Sequence, residues 1–162
     1  VFMEEFMNLV EKMAQIPGVS GCEDGVQDVF YWPWPWKRTP LGSYIYTVQE
    51  KGPNAPHLLL EAHMDQIGLV VTGITEEGFL RVAGVGGIDR GVLPAAQVQV
   101  HVGKRVFPGV VCTVPPHLSK ENDDLPQVED LAVDVGFSSK EQTEEKIPVG
   151  SRITFLQEPS EL

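Results

Sequence analysis

The sequence is poor in cysteine, and its two cysteines, Cys22 and Cys112, lie far apart without a C-x-x-C partner. This spacing excludes a disulfide framework and a cysteine-rich zinc knuckle, and it favours buried free thiols in a reducing compartment. No stretch approaches the roughly 18 consecutive apolar residues of a membrane-spanning helix. No basic leader followed by an apolar core marks a secretory signal. We therefore expect a cytoplasmic protein without a membrane partner.

Basic residues are also scarce: 12 lysines and arginines stand against 23 aspartates and glutamates, which gives a formal net charge of −11. Binding to nucleic acid and docking on anionic membranes both need a basic face, so this balance argues against both. An acidic surface of this kind ordinarily serves solubility. Hydrophobic residues make up 42% of the chain, which is enough for a folded core and argues against global disorder.

The first 30 residues are typical of two helices. Apolar residues recur at helical spacing from Phe2 to Met13, and Pro17-Gly18 ends this helix. Ser20 and Glu23 have the spacing of a capping box, which predicts a second helix through about Phe30.

Three extended segments follow the predicted helices. The Trp–Pro run at 32–36 cannot be helical and makes a poor central strand. We interpret it as a loop or edge segment with its indoles packed on the core, the alternatives being an exposed stacking platform or a proline-rich ligand. Residues 43–49 alternate like a strand, and the apolar run at 57–62 predicts a strand buried on both faces.

Residues 69–156 differ in texture, with short strands, regular turns and one helix. A hairpin is predicted over 69–82, and residues 97–102 alternate cleanly between polar and apolar side chains. Ser138 or Ser139 caps the predicted helix. This pattern predicts a mostly-β unit, either a small barrel or a sandwich.

A His-x-Asp pair, His63 and Asp65, follows the apolar run at 57–62. A histidine in this place can present one ring nitrogen to a metal, while an aspartate two residues on holds the other nitrogen and fixes the tautomer. A histidine that is simply hydrogen-bonded near a turn is the commoner explanation of such a pair. The pair alone leaves both interpretations open.

Four stretches together resemble metallopeptidase family 42, the glutamyl and deblocking aminopeptidases, which include endoglucanase-like hydrolases. Their order and spacing, spread over nearly the whole chain, make the resemblance specific. The stretches are Ala62-His63-Met64-Asp65-Gln66-Ile67-Gly68, Gly86-Gly87-Ile88-Asp89 with Val92-Leu93-Pro94, Pro108-Gly109-Val110-Val111 with Pro115-Pro116-His117-Leu118, and Asp130-Leu131 with Asp134-Val135-Gly136 and Ser138-Ser139-Lys140-Glu141.

The resemblance implies an α/β catalytic-domain fragment, made of helices plus strands of a mixed sheet, with an inserted mostly-β, barrel-like domain. Residues 1–67 correspond to the N-terminal piece of the metallopeptidase domain. Residues 68–156 correspond to the inserted dimerisation domain, and residues 157–162 to a return linker towards the rest of the catalytic domain. Because this insert drives assembly in the family, a homo-oligomer is expected, either a dimer or a dodecamer.

The resemblance also implies the chemistry. His63 corresponds to a metal ligand and Asp65 to the residue that orients it, in a site for two divalent metal ions, zinc or cobalt. The expected activity is that of a metalloaminopeptidase, which removes N-terminal residues from peptide substrates. In the family the other ligands and the general base follow the insert, so the chain alone is expected to be inactive. The alternative is a non-catalytic oligomerisation module or a degenerate homologue.

Overall fold

The computed structural model describes residues 2–29, 33–49, 51–52, 54–113 and 125–156. The N-terminal elements are α1 (Phe2–Ala14), α2 (Asp24–Val29), β1 (Trp36–Arg38) and β2 (Tyr44–Tyr46). The elements that follow are β3 (Gly68–Ile74), β4 (Leu80–Val85), β5 (Gln97–Val102), β6 (Arg105–Cys112), β7 (Ala132–Asp134), α3 (Lys140–Lys146) and β8 (Arg152–Phe155). Strands β1 and β2 form an antiparallel pair by themselves.

Strands β3 to β8 form a closed antiparallel barrel in the order β3-β4-β7-β6-β5-β8, and β8 pairs back with β3. Strand β5 shows how the sequence produces it, because Val98 and Val100 are buried while Gln97 and Gln99 point outward. The prediction of a mixed α/β chain with a barrel-like β unit is confirmed. The buried cluster comprises Leu69, Val71, Leu80, Val82, Leu93, Val98, Val100, Val111, Leu131, Val133, Ile147 and Ile153.

Helix α3 packs against the β3–β4 hairpin and begins where the sequence predicts. Ser139 is its N-cap, and the serine side chain accepts a hydrogen bond from the backbone N–H of Gln142. The buried Thr143 donates its hydroxyl to the carbonyl of Gly78 at 2.9 Å. Gly78 has a φ of +93°, and a Cβ there would lie 3.0 Å from two carbonyl oxygens, so this turn requires glycine.

The predicted strand over 57–62 is wrong. No strand forms there, and Leu58, Leu59 and Leu60 are 87%, 77% and 84% exposed. A strand needs a hydrogen-bonded neighbour, and none of the described strands lies beside this segment. The apolar run therefore lies in solvent in the described part of the chain, and a free apolar segment of this kind promotes aggregation.

The predicted capping box is also wrong. Helix α2 begins at Asp24, so Ser20 lies outside it, and the side chain of Glu23 accepts instead from the backbone N–H of Gly21 at 2.6 Å. The end predicted for this helix, Phe30, lies outside the described residues. The serine hydroxyl is engaged at the site described below.

From residue 33 on, the Trp–Pro run is a loop and an edge strand, as predicted, but the packing of Trp36 and the burial of the cysteines differ from expectation. The indole of Trp36 is 52% exposed and contacts the rings of Tyr44 and Tyr46, with centroids 5.4 and 6.4 Å away, because β1 pairs with β2 and not with the core. Trp32 lies outside the described residues. Both cysteines are free, but Cys22 is exposed because it follows a turn and Cys112 is only half-buried, so the prediction of buried thiols fails for Cys22 and holds only in part for Cys112. Among the described helices, none has the length and apolar character needed to cross a bilayer.

Candidate metal-ligand site

The His-x-Asp pair lies on the segment that connects the N-terminal elements to the barrel. Gln66 fixes this segment, because its backbone N–H donates to the carbonyl of Gly18 at 2.8 Å and its side-chain amide donates to the carbonyl of Ile16. Val19 and Gln66 form an isolated parallel bridge. The residues before α2 therefore run alongside the pair, and the site is built from two stretches far apart in sequence.

Gly68 explains why the motif ends in glycine. A Cβ on this residue would lie 2.5 Å from the carbonyl oxygen of Ile153 and 2.6 Å from Cγ2 of Val19, distances that real side chains do not show. The segment carrying the histidine thus enters β3 in direct contact with both β8 and the residues before α2. Only a residue without a side chain permits that close approach.

The imidazole of His63 is held through one nitrogen. Its Nδ1 lies 2.8 Å from the backbone carbonyl oxygen of Asp65 and 3.1 Å from Oδ1 of the same residue. Both partners are acceptors, so Nδ1 carries the proton and Nε2 keeps its lone pair. The side chain is 85% exposed, so the ring stands at the surface of the described chain.

The carboxylate of Asp65 is shared between two donors. Oδ1 faces the ring of His63, and Oδ2 accepts a hydrogen bond from the hydroxyl of Ser20. The bond from Ser20 holds the pKa of Asp65 below its usual value; the histidine acts in the same direction, and partial burial opposes both. The carboxylate is therefore ionised at neutral pH.

Sequence reasoning placed His63 and Asp65 in this pair and missed Ser20. The serine lies 45 residues before the aspartate and precedes a helix, so its sequence context predicts a cap. Nothing in its spacing from the motif distinguishes it. Only the pairing of Val19 with Gln66 brings it to the carboxylate.

His63 and Asp65 fit one part of a metal site, a ligand and the residue that orients it. Neutral imidazole with one nitrogen tied to a carboxylate is a common arrangement for a zinc ligand. Among the described residues, no group of three or more histidine, cysteine, aspartate or glutamate side chains could hold an ion. A catalytic zinc normally takes three protein ligands, so these residues supply one ligand and its orienting partner.

An apolar cavity of about 330 Å³ lies beside the pair. Helices α1 and α2 form one side of it, and the segment containing Asp65 forms the other. Asp65 belongs to its lining and His63 does not. The lining residues are Val10, Met13, Ala14, Ile16, Val26, Met64, Asp65 and Gln66.

The chain is similar to known aminopeptidases over most of its length. It is 37% identical to the lysyl aminopeptidase of Pyrococcus furiosus, covering 93% of this chain and 44% of that protein. It is 31% identical to the putative aminopeptidase FrvX of Escherichia coli, covering 91% of this chain and 43% of that protein. The chain thus spans less than half the length of the curated relatives it matches.

Solved structures have the same fold. An aminopeptidase from the archaeon Desulfurococcus kamchatkensis matches with a TM-score of 0.86 and 29% identity, over 100% of this chain and 46% of that one. The TET1 peptidase of Pyrococcus horikoshii, which can assemble into a tetrahedron or a large octahedral shell, matches with a TM-score of 0.79 and 36% identity, over 92% and 46%. The model of the M42 glutamyl aminopeptidase family matches residues 42–162. The chain therefore belongs to the M42 glutamyl aminopeptidase family.

Proposed function

We propose that the protein to which this chain belongs is a metal-dependent aminopeptidase that removes N-terminal residues from peptides. His63 binds one of two divalent ions, zinc or cobalt, through Nε2, and Asp65 orients the ring. One observation carries the proposal: Nδ1 of His63 donates its hydrogen bond to two acceptors of Asp65, which leaves the lone pair of Nε2 available to a metal ion. Membership of the M42 family and the similarity to aminopeptidases support it.

The contacts of His63 indicate what each neighbouring residue does. A pair of divalent ions supplies Lewis-acid polarisation of the peptide carbonyl and an activated nucleophile when bound. Asp65 keeps Nδ1 of His63 protonated, makes the ring a better donor and limits its rotation. Gly68 and Gln66 keep the histidine at a fixed place relative to the barrel. The residues around His63 thus fix its position and raise the basicity of its Nε2.

The chain by itself is proposed to have no peptidase activity, even with added zinc or cobalt. A two-metal hydrolase needs several ligands and a group that moves protons, and the matched relatives are more than twice as long as the matched chain. Residues 1–67 are proposed as the first piece of the catalytic domain, residues 68–156 as an inserted domain and 157–162 as the linker back. That linker lies outside the described residues.

Peptide hydrolysis by the protein that carries this chain is the direct test. We expect release of the first residue from peptides with a free N-terminus and none from N-acetylated copies of the same peptides. Removing metal with a chelator should abolish the activity, and zinc or cobalt should restore it, because the ions supply the chemistry. Equal cleavage of blocked and unblocked peptides, or full activity after chelation, would contradict the proposal.

Self-association through the barrel is the second part of the proposal. The outer face of β6 exposes Val106 and Val110, and a shallow groove of about 400 Å³ lies over β5, β6 and β7. Exposed apolar patches of this kind mark protein–protein contacts. Assembly of the Pyrococcus horikoshii relative supports a homo-oligomer here, a dimer or a dodecamer.

The free cysteines support a cytoplasmic location, and the acidic charge supports the absence of a nucleic-acid partner.

Light scattering coupled to gel filtration tests self-association. We expect the 162-residue chain at tens of micromolar to have at least the mass of a dimer, and Val110→Lys to shift it towards the monomer, because a buried unpaired charge opposes the contact. The matched control is Leu41→Lys, which places the same charge on an exposed leucine outside the barrel and should leave the mass unchanged. A strictly monomeric wild type would refute this part of the proposal.

The second candidate function is a non-catalytic assembly module or a degenerate homologue. The closed barrel favours it, because all six strands find their partners within the described residues. Activity separates the two candidates. A protein that assembles but does not cleave unblocked peptides with either metal is the module.

A further inference from the structure

We propose that Ser20 is a positioning residue for His63, acting through Asp65. Its hydroxyl donates to Oδ2 of Asp65 and so turns Oδ1 towards Nδ1 of the histidine. The inference rests on the proposed function only in taking His63 as a metal ligand. It adds a third residue to the site, from a part of the chain that the motif does not include.

The need for such a residue follows from the geometry of aspartate. Rotation of its carboxylate about the terminal torsion is soft, with two broad, nearly equivalent orientations. A carboxylate held by one donor alone can turn away from that donor. Because the serine binds one oxygen of Asp65 and the imidazole ring binds the other, the orientation of the carboxylate is fixed. The ionised carboxylate can only accept, so both neighbours must donate.

Ser20 is itself held in place by its neighbours. Val19 is bridged to Gln66 and lies directly over Gly68, and the N–H of Cys22 donates to the carbonyl of Val19 at 2.8 Å. Gly21, with a φ of +85°, turns the chain immediately after the serine. The hydroxyl therefore reaches Asp65 from a backbone fixed on both sides, and the segment carrying the aspartate is fixed to that same backbone.

The tautomer of His63 reports this arrangement without any metal. Free imidazole prefers the proton on Nε2, whereas two acceptors at Nδ1 require it there. We expect long-range proton–nitrogen NMR spectra of the 162-residue chain, recorded where the ring is neutral, to show His63 mainly protonated on Nδ1. In Ser20→Ala the backbone carbonyl of Asp65 still accepts from Nδ1 and only the Oδ1 contact loosens, so the population should shift part of the way towards the Nε2-protonated form. Ser20→Thr, which keeps a hydroxyl, should restore it. The exposed His57 is the internal control and should not change.

Metal affinity is the second readout. In the protein that carries this chain, Ser20→Ala should weaken Co²⁺ binding by about tenfold, the lower end of what loss of an outer-shell partner costs. Ser20→Thr should bind near the wild-type affinity. Ser43→Ala removes a hydroxyl from an exposed position away from the pair and should have no effect.

The outcomes separate this inference from the proposed function. A tautomer and an affinity that do not change in Ser20→Ala overturn the role of the serine, whatever the activity of the protein. If Ser20→Ala does not fold, Ser20→Cys replaces it, since a thiol has similar size but is a weak donor; the same shift is expected, and no shift overturns the inference. Failure of the proposed function would show instead as peptide cleavage that is indifferent to His63.

Discussion

Replacing His63 by alanine is expected to reduce kcat/KM for unblocked peptides by about 10³-fold or more in the protein that carries this chain. Loss of a ligand displaces or releases a metal ion that stabilises transition-state charge by several kcal/mol, and about 4 kcal/mol corresponds to this factor. The measurement is initial rate against peptide concentration at saturating zinc or cobalt. Bound metal per chain should fall in the same variant.

His57→Ala is the matched control for this experiment. It removes an exposed imidazole six residues earlier, outside the His-x-Asp pair, and should leave both rate and metal content unchanged. Equal losses in the two variants would mean that the effect is not specific to the motif. Retention of activity in His63→Ala would contradict the assignment of His63 as a ligand.

Replacing Gly68 by alanine is expected to lower the free energy of unfolding by about 2–3 kcal/mol, the cost of forcing a methyl group into a packed site. The new Cβ would meet a backbone carbonyl at 2.5 Å and a valine methyl at 2.6 Å, so either β8 or the residues before α2 must move. Denaturant unfolding of the 162-residue chain, followed by far-UV circular dichroism, measures the change.

Gly87→Ala is the control for this prediction. Gly87 lies in the glycine-rich corner after β4, has nothing within 4 Å of the position its Cβ would take, and does not have a positive φ. Its replacement should change the free energy of unfolding very little, or raise it slightly because alanine lowers the conformational entropy of the unfolded chain. Similar destabilisation by both substitutions would show that close packing at Gly68 is not the cause.

The barrel could be predicted because its signals are local. Strand β5 alternates polar and apolar side chains with a period of two, and the structure has it with the bounds that the pattern predicts, Gln97–Val102. The cap of α3 at Ser139 is likewise encoded within four residues. Elements whose apolar faces are buried within the described chain follow their own periodicity, even where a partner strand such as β8 lies far along the sequence.

The strand predicted over 57–62 failed for the opposite reason. Its apolar run matches a strand buried on both faces, but burial depends on neighbouring strands, and the described chain places none beside it. Periodicity and hydrophobicity report what a segment can bury and not what lies next to it. The same limit explains Trp36, whose indole packs on two tyrosines at the surface.

Only the His63–Asp65 part of the candidate site could be predicted from the sequence. The contact between His63 and Asp65 spans two residues, so spacing alone suggested it, and the structure has the two side chains 3.1 Å apart. Ser20 could not be predicted, because its contact with Asp65 depends on the pairing of Val19 with Gln66 across the intervening chain. The capping-box spacing of Ser20 and Glu23 even favoured another role.

Nε2 of His63 is expected to bind a catalytic metal ion while Asp65 holds Nδ1. Anomalous X-ray diffraction at the zinc edge, from crystals of the protein that carries this chain grown with zinc, tests it most directly. We expect an anomalous peak about 2.0–2.1 Å from Nε2 of His63, the usual zinc–nitrogen distance. Zinc bound at other residues, with the ring of His63 turned away from Asp65 and bearing no metal, would contradict it.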